Sequence, residues 1–233
     1  MLAFRLVHDV NLFRKYSFCP KCNKNILWYD NIPILSWIFL KGKCRACKNS
    51  ISFLYLFIEL ISLIIFSLLF YKFSLPYLIS YFLFFSALII TIRTDIETML
   101  ISRYVTLFLI PTAFMLCLFN LLPISITQSI AGCIFAYFLL TIVSKTFTFF
   151  TKKNGMGQGD IDLLAFIGSF TGIYGAWITL LIGSILGSIF GIGLLLLNKL
   201  NRSKKIPFGP FLASAAILYV LYQEQLMFLI FPN

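Results

Sequence analysis

Four cysteines and two aspartates stand out as the residues of this chain with chemistry to offer. Cys19-Pro20-Lys21-Cys22 and Cys44-Arg45-Ala46-Cys47 are two CxxC pairs, with 21 residues between the inner cysteines. Each pair presents two thiolates from one tight turn, and two such turns complete a tetrahedral four-cysteine shell suited to zinc. A closed shell has no open position for a reacting water, which makes the role structural. The other reading of the four is redox or disulfide chemistry, which a cytoplasmic location disfavours. Cys117 and Cys133 lie in apolar runs as small core residues. His8 has no partner at metal-ligand spacing and reads as a surface residue.

Only six acids lie beyond residue 50: Glu59, Asp95, Glu97, Asp160, Asp162 and Glu224. A carboxylate near lipid is costly, so each needs a reason to be there. Glu59 is about two turns into an apolar run and requires a partner. Asp160 ends the glycine-rich stretch Asn154-Gly155-Met156-Gly157-Gln158-Gly159-Asp160. Gly157 and Gly159 are expected to take backbone conformations barred to other residues and to let another backbone come close. A lysine followed by Ser or Thr does not follow, so the loop is not a phosphate cradle. Should Asp95 meet Asp160, the pair could share one proton. One carboxylate would then activate a water while the other polarises a carbonyl, as in an aspartic protease.

The elements that must position these residues are membrane helices. Of 233 residues, 60% are hydrophobic and 12% charged, too little polar material to surround a water-soluble core. Apolar runs at 53–71, 76–92, 104–122, 124–148, 161–174, 175–197 and 208–231 predict about seven transmembrane helices. The expected fold is thus an all-α polytopic membrane protein. Residues 1–50 form an N-terminal cytoplasmic zinc-knuckle region, and 51–233 form the membrane domain. With residues 1–50 inside, 18 of the 19 Lys and Arg fall on the cytoplasmic side, only Lys72 lies outside, and the C-terminus is external. Topology accounts for the net charge of +11, and no nucleic acid is expected. The stretch from Trp28 to Trp37 is too apolar to be a nucleic-acid loop; it reads as a small aromatic core or a surface resting on the membrane.

Together these features resemble the type IV prepilin peptidases, membrane aspartic proteases of the GxGD class. The resemblance rests on the paired CxxC knuckles, Asn31-Ile32-Pro33-Ile34-Leu35-Ser36-Trp37, Glu59, Thr94-Asp95-Ile96 with Met99-Leu100-Ile101, Gly157-Gln158-Gly159-Asp160, and Ile206-Pro207-Phe208-Gly209-Pro210-Phe211. It implies that Asp95 and Asp160 are catalytic, and that Gly157, Gly159, Pro207, Phe208, Gly209, Pro210 and Glu59 bind substrate or support the loops. It implies a multi-pass protein of the bacterial inner membrane that cuts the basic leader from type IV prepilins or pseudopilins after a glycine, at the cytoplasmic face. In many members it also implies methylation of the new N-terminus from S-adenosylmethionine.

Four departures accompany the resemblance. Asp162 stands where such proteins have a lysine, Leu54 and Leu56 replace a basic residue and a proline, Ser102 replaces a proline, and an apolar helix expected ahead of the cysteines is not in this sequence. Two other readings stand beside it. One is a catalytically degenerate zinc-knuckle scaffold, motivated by Asp162 and the shortened start. The other is a proton-coupled transporter in which Asp95 and Asp160 relay protons; it would call for acids near the bilayer midplane and internal repeats, and neither is evident.

Overall fold

The computed structural model describes residues 16–152, 155–197 and 206–230; His8, Asn154, Lys199, Arg202, Lys204 and Lys205 lie outside them. The chain divides into two compact units, Met1–Tyr71 and Lys72–Asn233. Among the described residues every regular element is helical, with two isolated β-bridges near the cysteines. The compositional break near residue 50 falls inside the first unit.

In the first unit the two knuckles are built alike. Cys19 N–H donates to the Lys24 carbonyl and Asn23 N–H to the Cys19 carbonyl; Cys44 N–H donates to Asn49 and Lys48 N–H to Cys44 in the same pattern. The residue after the second cysteine of each pair, Asn23 or Lys48, has positive φ, which turns the chain back on itself. A 3₁₀ turn (Trp28–Asn31) and the short helix α1 (Leu35–Phe39) lie between the knuckles. The long apolar helix α2 (Phe53–Lys72) follows them.

The second unit contains α3 (Leu75–Thr98), α4 (Arg103–Leu118), α5 (Ile126–Thr151), α6 (Gln158–Leu196), α7 (Gly209–Leu221) and α8 (Gln223–Ile230). Pro76 sits in the first turn of α3, where its missing N–H costs no hydrogen bond. Met99, in the left-handed conformation, ends that helix one turn after Asp95. Ser125 and Gln128 form a reciprocal capping box at the start of α5. The core of the unit is the first half of α6, where every residue from Ile161 to Gly172 is buried.

Among the described residues four helices, α2, α3, α5 and α6, are long and apolar enough to cross a membrane; α7 with α8 makes a fifth if this pair, bent by 97°, is one crossing. The described residues supply four or five helices of that length and apolarity, with α4 apolar but shorter, against the seven expected spans. The fifth and sixth are a single helical stretch, α6, interrupted at Gly172, whose φ of 72° and ψ of −172° belong to a region open to glycine alone. The runs read from the sequence at 161–174 and 175–197 meet within three residues of this break.

Candidate active site

Asp95 is on the buried face of α3. The spacing of Phe84, Leu88, Thr91 and Asp95, four then three then four residues, keeps all of them on one side of the helix, and all are buried. Phe84 stacks on Phe170 of α6 at 4.7 Å between ring centres, and Phe166 joins them at 5.3 Å. Along their helices, Phe84 precedes Asp95 and Phe170 follows Asp160 by similar rises, about 16 and about 15 Å. The aromatic cluster thereby brings the end of α3 level with the start of α6. Asp160, in the first turn of α6, is within electrostatic reach of Asp95.

Two loops close the site. Gly209 opens α7, and its N–H, which has no partner within its own helix, donates to Oδ2 of Asp95 at 3.0 Å. A Cβ on Gly209 would stand 2.6 Å from that oxygen and 3.0 Å from Cδ1 of Ile101. Ile101 also lies against Gly159, where a Cβ would come within 2.9 Å of its own Cβ. One side chain therefore spaces the GxGD loop from the loop that holds Asp95. This corrects the reading of the loop glycines: Gly157 has φ of −75°, Gly159 is helical, and neither has positive φ. Gly159 provides room for Ile101. At Gly157 an added Cβ would meet Oδ2 of Asp160 at 3.5 Å, an ordinary contact.

Asp162 is buried but does not confront Asp160 as a bare charge. Its Oδ2 accepts from Nε of Arg103 at 3.1 Å and its Oδ1 from Nε2 of Gln158 at 3.2 Å. Its side chain is 3% exposed and that of Arg103 is 65% exposed, so the cation reaches in from a wet surface. Ile101, Arg103 and Gln158 were not singled out from the sequence as positioning residues. A buried acid in need of a neutralising partner was the signal available for Arg103.

Pro207 and Phe208 line a cavity of about 340 Å³ with Met156, Ser184, Gly187, Ser188, Ile206 and Phe211. Met156 precedes the GxGD motif, and Phe208 precedes the glycine that binds Asp95. Pro210 is in the first turn of α7, where proline fits.

In the first unit the four cysteine sulfurs of Cys19, Cys22, Cys44 and Cys47 lie within 4.8 Å of one another, a cluster that could hold a metal ion. The Cys19 and Cys47 sulfurs are 3.9 Å apart. Tetrahedral ligation at a zinc–sulfur distance of about 2.3 Å needs about 3.8 Å between sulfurs, so the donor set fits. The Asn49 N–H holds the Cys47 thiol down at about 6, favouring the thiolate that a metal takes. Cys22 also has an N–H nearby, from Lys24, yet desolvation and the Cys19 and Cys47 sulfurs push it up to about 11. Thiols this close cannot all ionise without a cation among them.

Glu59 has a partner in the same unit: its Oε2 accepts the N–H of Ile34 at 2.8 Å. Ile34 has φ of 65° and ψ of −56°, and the N–H of Leu35 reaches back to the Pro33 carbonyl. This is a γ-turn with positive φ, strained for any residue and more so for a β-branched one. Glu59 therefore anchors the strained centre of the Asn31–Trp37 segment.

Residues 1–73 match the family model of the bacterial peptidase A24 N-terminal domain, and residues 82–192 match that of the type IV leader peptidase family. A prepilin leader peptidase/N-methyltransferase of Aeromonas salmonicida (strain A449) is 36% identical over 219 residues, covering 93% of this chain and 74% of its own length. The protein of the same name from Dichelobacter nodosus is also 36% identical, over 217 residues, with the same coverage. That of Bacillus subtilis (strain 168) is 29% identical over 224 residues, covering 96% of this chain and 88% of its own. No solved structure matches the chain.

Proposed function

The chain belongs to the type IV leader peptidase family and is a membrane peptidase, and from that premise we propose that Asp95 and Asp160 are its catalytic pair and that type IV prepilins or pseudopilins are its substrates. The observation that carries the assignment is the convergence of the two acids. Asp95 is held by the Gly209 N–H, Asp160 lies within its electrostatic reach, and Ile101 spaces the two loops.

Two carboxyl groups that feel each other's charge resist ionising together, so the pair holds one proton between them. The ionised one takes a proton from a water as that water attacks the scissile carbonyl, and the protonated one donates to the carbonyl oxygen. The aspartate that took the water's proton then passes it to the departing amine as the C–N bond breaks. The other takes back a proton from a hydroxyl of the tetrahedral diol, which restores the pair and leaves the carboxyl product. The cavity between Met156 and Phe208 receives the extended chain beside the cleaved bond. The leader is basic and remains on the cytoplasmic side, with residues 1–50 on that side as well.

The four cysteines hold a structural zinc that ties the two knuckles together and supplies no reacting group. S-adenosylmethionine is the methyl donor that the second activity in the relatives' names would draw on. Both carboxylates among the described residues of the first unit are engaged, Asp30 with Arg45 and Glu59 with Ile34, so no residue is assigned to holding that donor.

The pairing of Asp162 with Arg103 removes the motive that Asp162 gave for a degenerate scaffold. The transporter reading needs acids at mid-helix, whereas Asp95 is in the last turn of α3 and Asp160 in the first turn of α6. The test is incubation of the membrane-reconstituted protein with a prepilin. The native chain cleaves it, while Asp95→Asn and Asp160→Asn insert normally and do not. Cleavage by either variant would overturn the pair. The same assay with labelled methyl donor reads the second activity.

A further inference from the structure

The surface between the two knuckles is unusually apolar for a region outside the spans. Neither the Trp28–Asn31 turn nor α1 buries a residue. Trp28 is 80% exposed and Phe39 81%, with Leu35 and Ile38 each more than half exposed. Leu35, Ile38 and Phe39 are spaced i, i+3, i+4 and share one side of α1. The opposite side is anchored: Trp37 meets Phe53, the first residue of α2, edge to face at 5.9 Å, and covers Gly42, where a Cβ would come within 2.7 Å of its ring.

The depth of this surface follows from contacts within the same unit. Ile34 is bonded to Glu59, six residues into α2. Six residues rise about 9 Å along a helix axis, so the Ile34 amide is level with the second turn of a membrane span. Apolar side chains carried at that level and facing outward are at the boundary between acyl chains and headgroups. The charge around them has one sign. Between residues 16 and 52 the basic residues are Lys21, Lys24, Lys41, Lys43, Arg45 and Lys48, and the only acid is Asp30. Asp30 is neutralised by a two-pronged bond from Arg45.

We propose that Trp28 and the outward side of α1 form an interfacial wedge that dips into an anionic lipid surface, with the surrounding lysines on the headgroups. Such a wedge holds the cysteine knuckles against the bilayer at a fixed depth. The strained Ile34 turn, fixed by Glu59, aims the apolar side chains of α1 at the lipid.

The full chain in nanodiscs tests this by tryptophan quenching. The difference between native protein and Trp28→Phe isolates the Trp28 signal and leaves Trp37 and Trp177 in place. In anionic nanodiscs, lipid brominated near the headgroup is expected to quench that difference signal at least roughly twofold more than aqueous iodide does. The preference is expected to weaken in zwitterionic nanodiscs and at high salt. A Trp28 signal that iodide quenches and brominated lipid does not would overturn the proposal. So would protection from both quenchers, because a protein would then be covering the patch. Equal lipid quenching in anionic and zwitterionic nanodiscs would overturn the choice of an anionic surface.

Discussion

The N–H of Gly209 donates to Oδ2 of Asp95 at 3.0 Å, joining residues 114 apart in sequence. The bond uses the first free N–H of α7 and fixes the orientation of the carboxylate that the proposed mechanism brings to a water. Gly209→Ala would push a methyl group to within 2.6 Å of that oxygen. The expected result is a fall in kcat of about tenfold or more, corresponding to the loss of one buried hydrogen bond to a charged group. Single-turnover cleavage of a prepilin by correctly inserted protein is the measurement. An unchanged kcat would show that the contact does not orient the carboxylate.

The ion pair of Arg103 with Asp162 makes a separate prediction. Arg103→Ala leaves a buried acid supported by Gln158 alone. Because Arg103 is mostly in solvent, the cost is expected to be modest, about 1–2 kcal/mol in detergent unfolding. Cleavage should fall as Ile101, two residues before Arg103, loses its register against Gly159. The exchanged pair, Arg103→Glu with Asp162→Lys, should recover more activity than either single change. If it recovers nothing, the charge pairing is not what positions the loop.

Elemental analysis of the purified chain should find one zinc per protein, and Cys22→Ser or Cys44→Ser should lose it. Loss of metal is expected to collapse the near-ultraviolet circular dichroism of Trp28, Tyr29 and Trp37, since these residues lie on the chain between the two knuckles. Cobalt substitution offers a spectroscopic check: four thiolate ligands give intense charge-transfer bands, and each cysteine-to-serine change should weaken them.

Gly132 of α5 and Gly168 of α6 bring their helix backbones into direct contact, so a Cβ on either would strike the other's backbone. Gly168→Ala is expected to cost about 1–3 kcal/mol through overpacking. It should also lower cleavage, because α6 carries Asp160. Thermal unfolding in detergent, followed beside the cleavage assay, reads both. Gly193 has open space around it, and Gly193→Ala serves as the control that should leave both unchanged.

The membrane character, the helical class, the CxxC pairs and the few acids set in apolar sequence were legible because each has a local signature. Uninterrupted apolar length predicts a span, cysteine spacing predicts a knuckle, and a carboxylate beside lipid is conspicuous. Glu59 also shows its need for a partner, on burial cost alone, and it has one in Ile34. The number of crossings was less legible. The boundary read at 174/175 falls beside the break at Gly172, but hydropathy is blind to a 97° bend between two short apolar helices, as between α7 and α8.

Composition and spacing by themselves determined that this is a greasy helical chain with a four-thiol cluster and a few expensive acids. Only the tertiary structure decided which groups those acids face. Asp95 meets a backbone N–H from a loop 114 residues away, Asp162 meets Arg103 across 59 residues, and Ile101 acts as the spacer between two glycines. A buried charge announces its need for a partner through its cost in the membrane. The identity of that partner is set by which helix ends the aromatic and glycine contacts bring level.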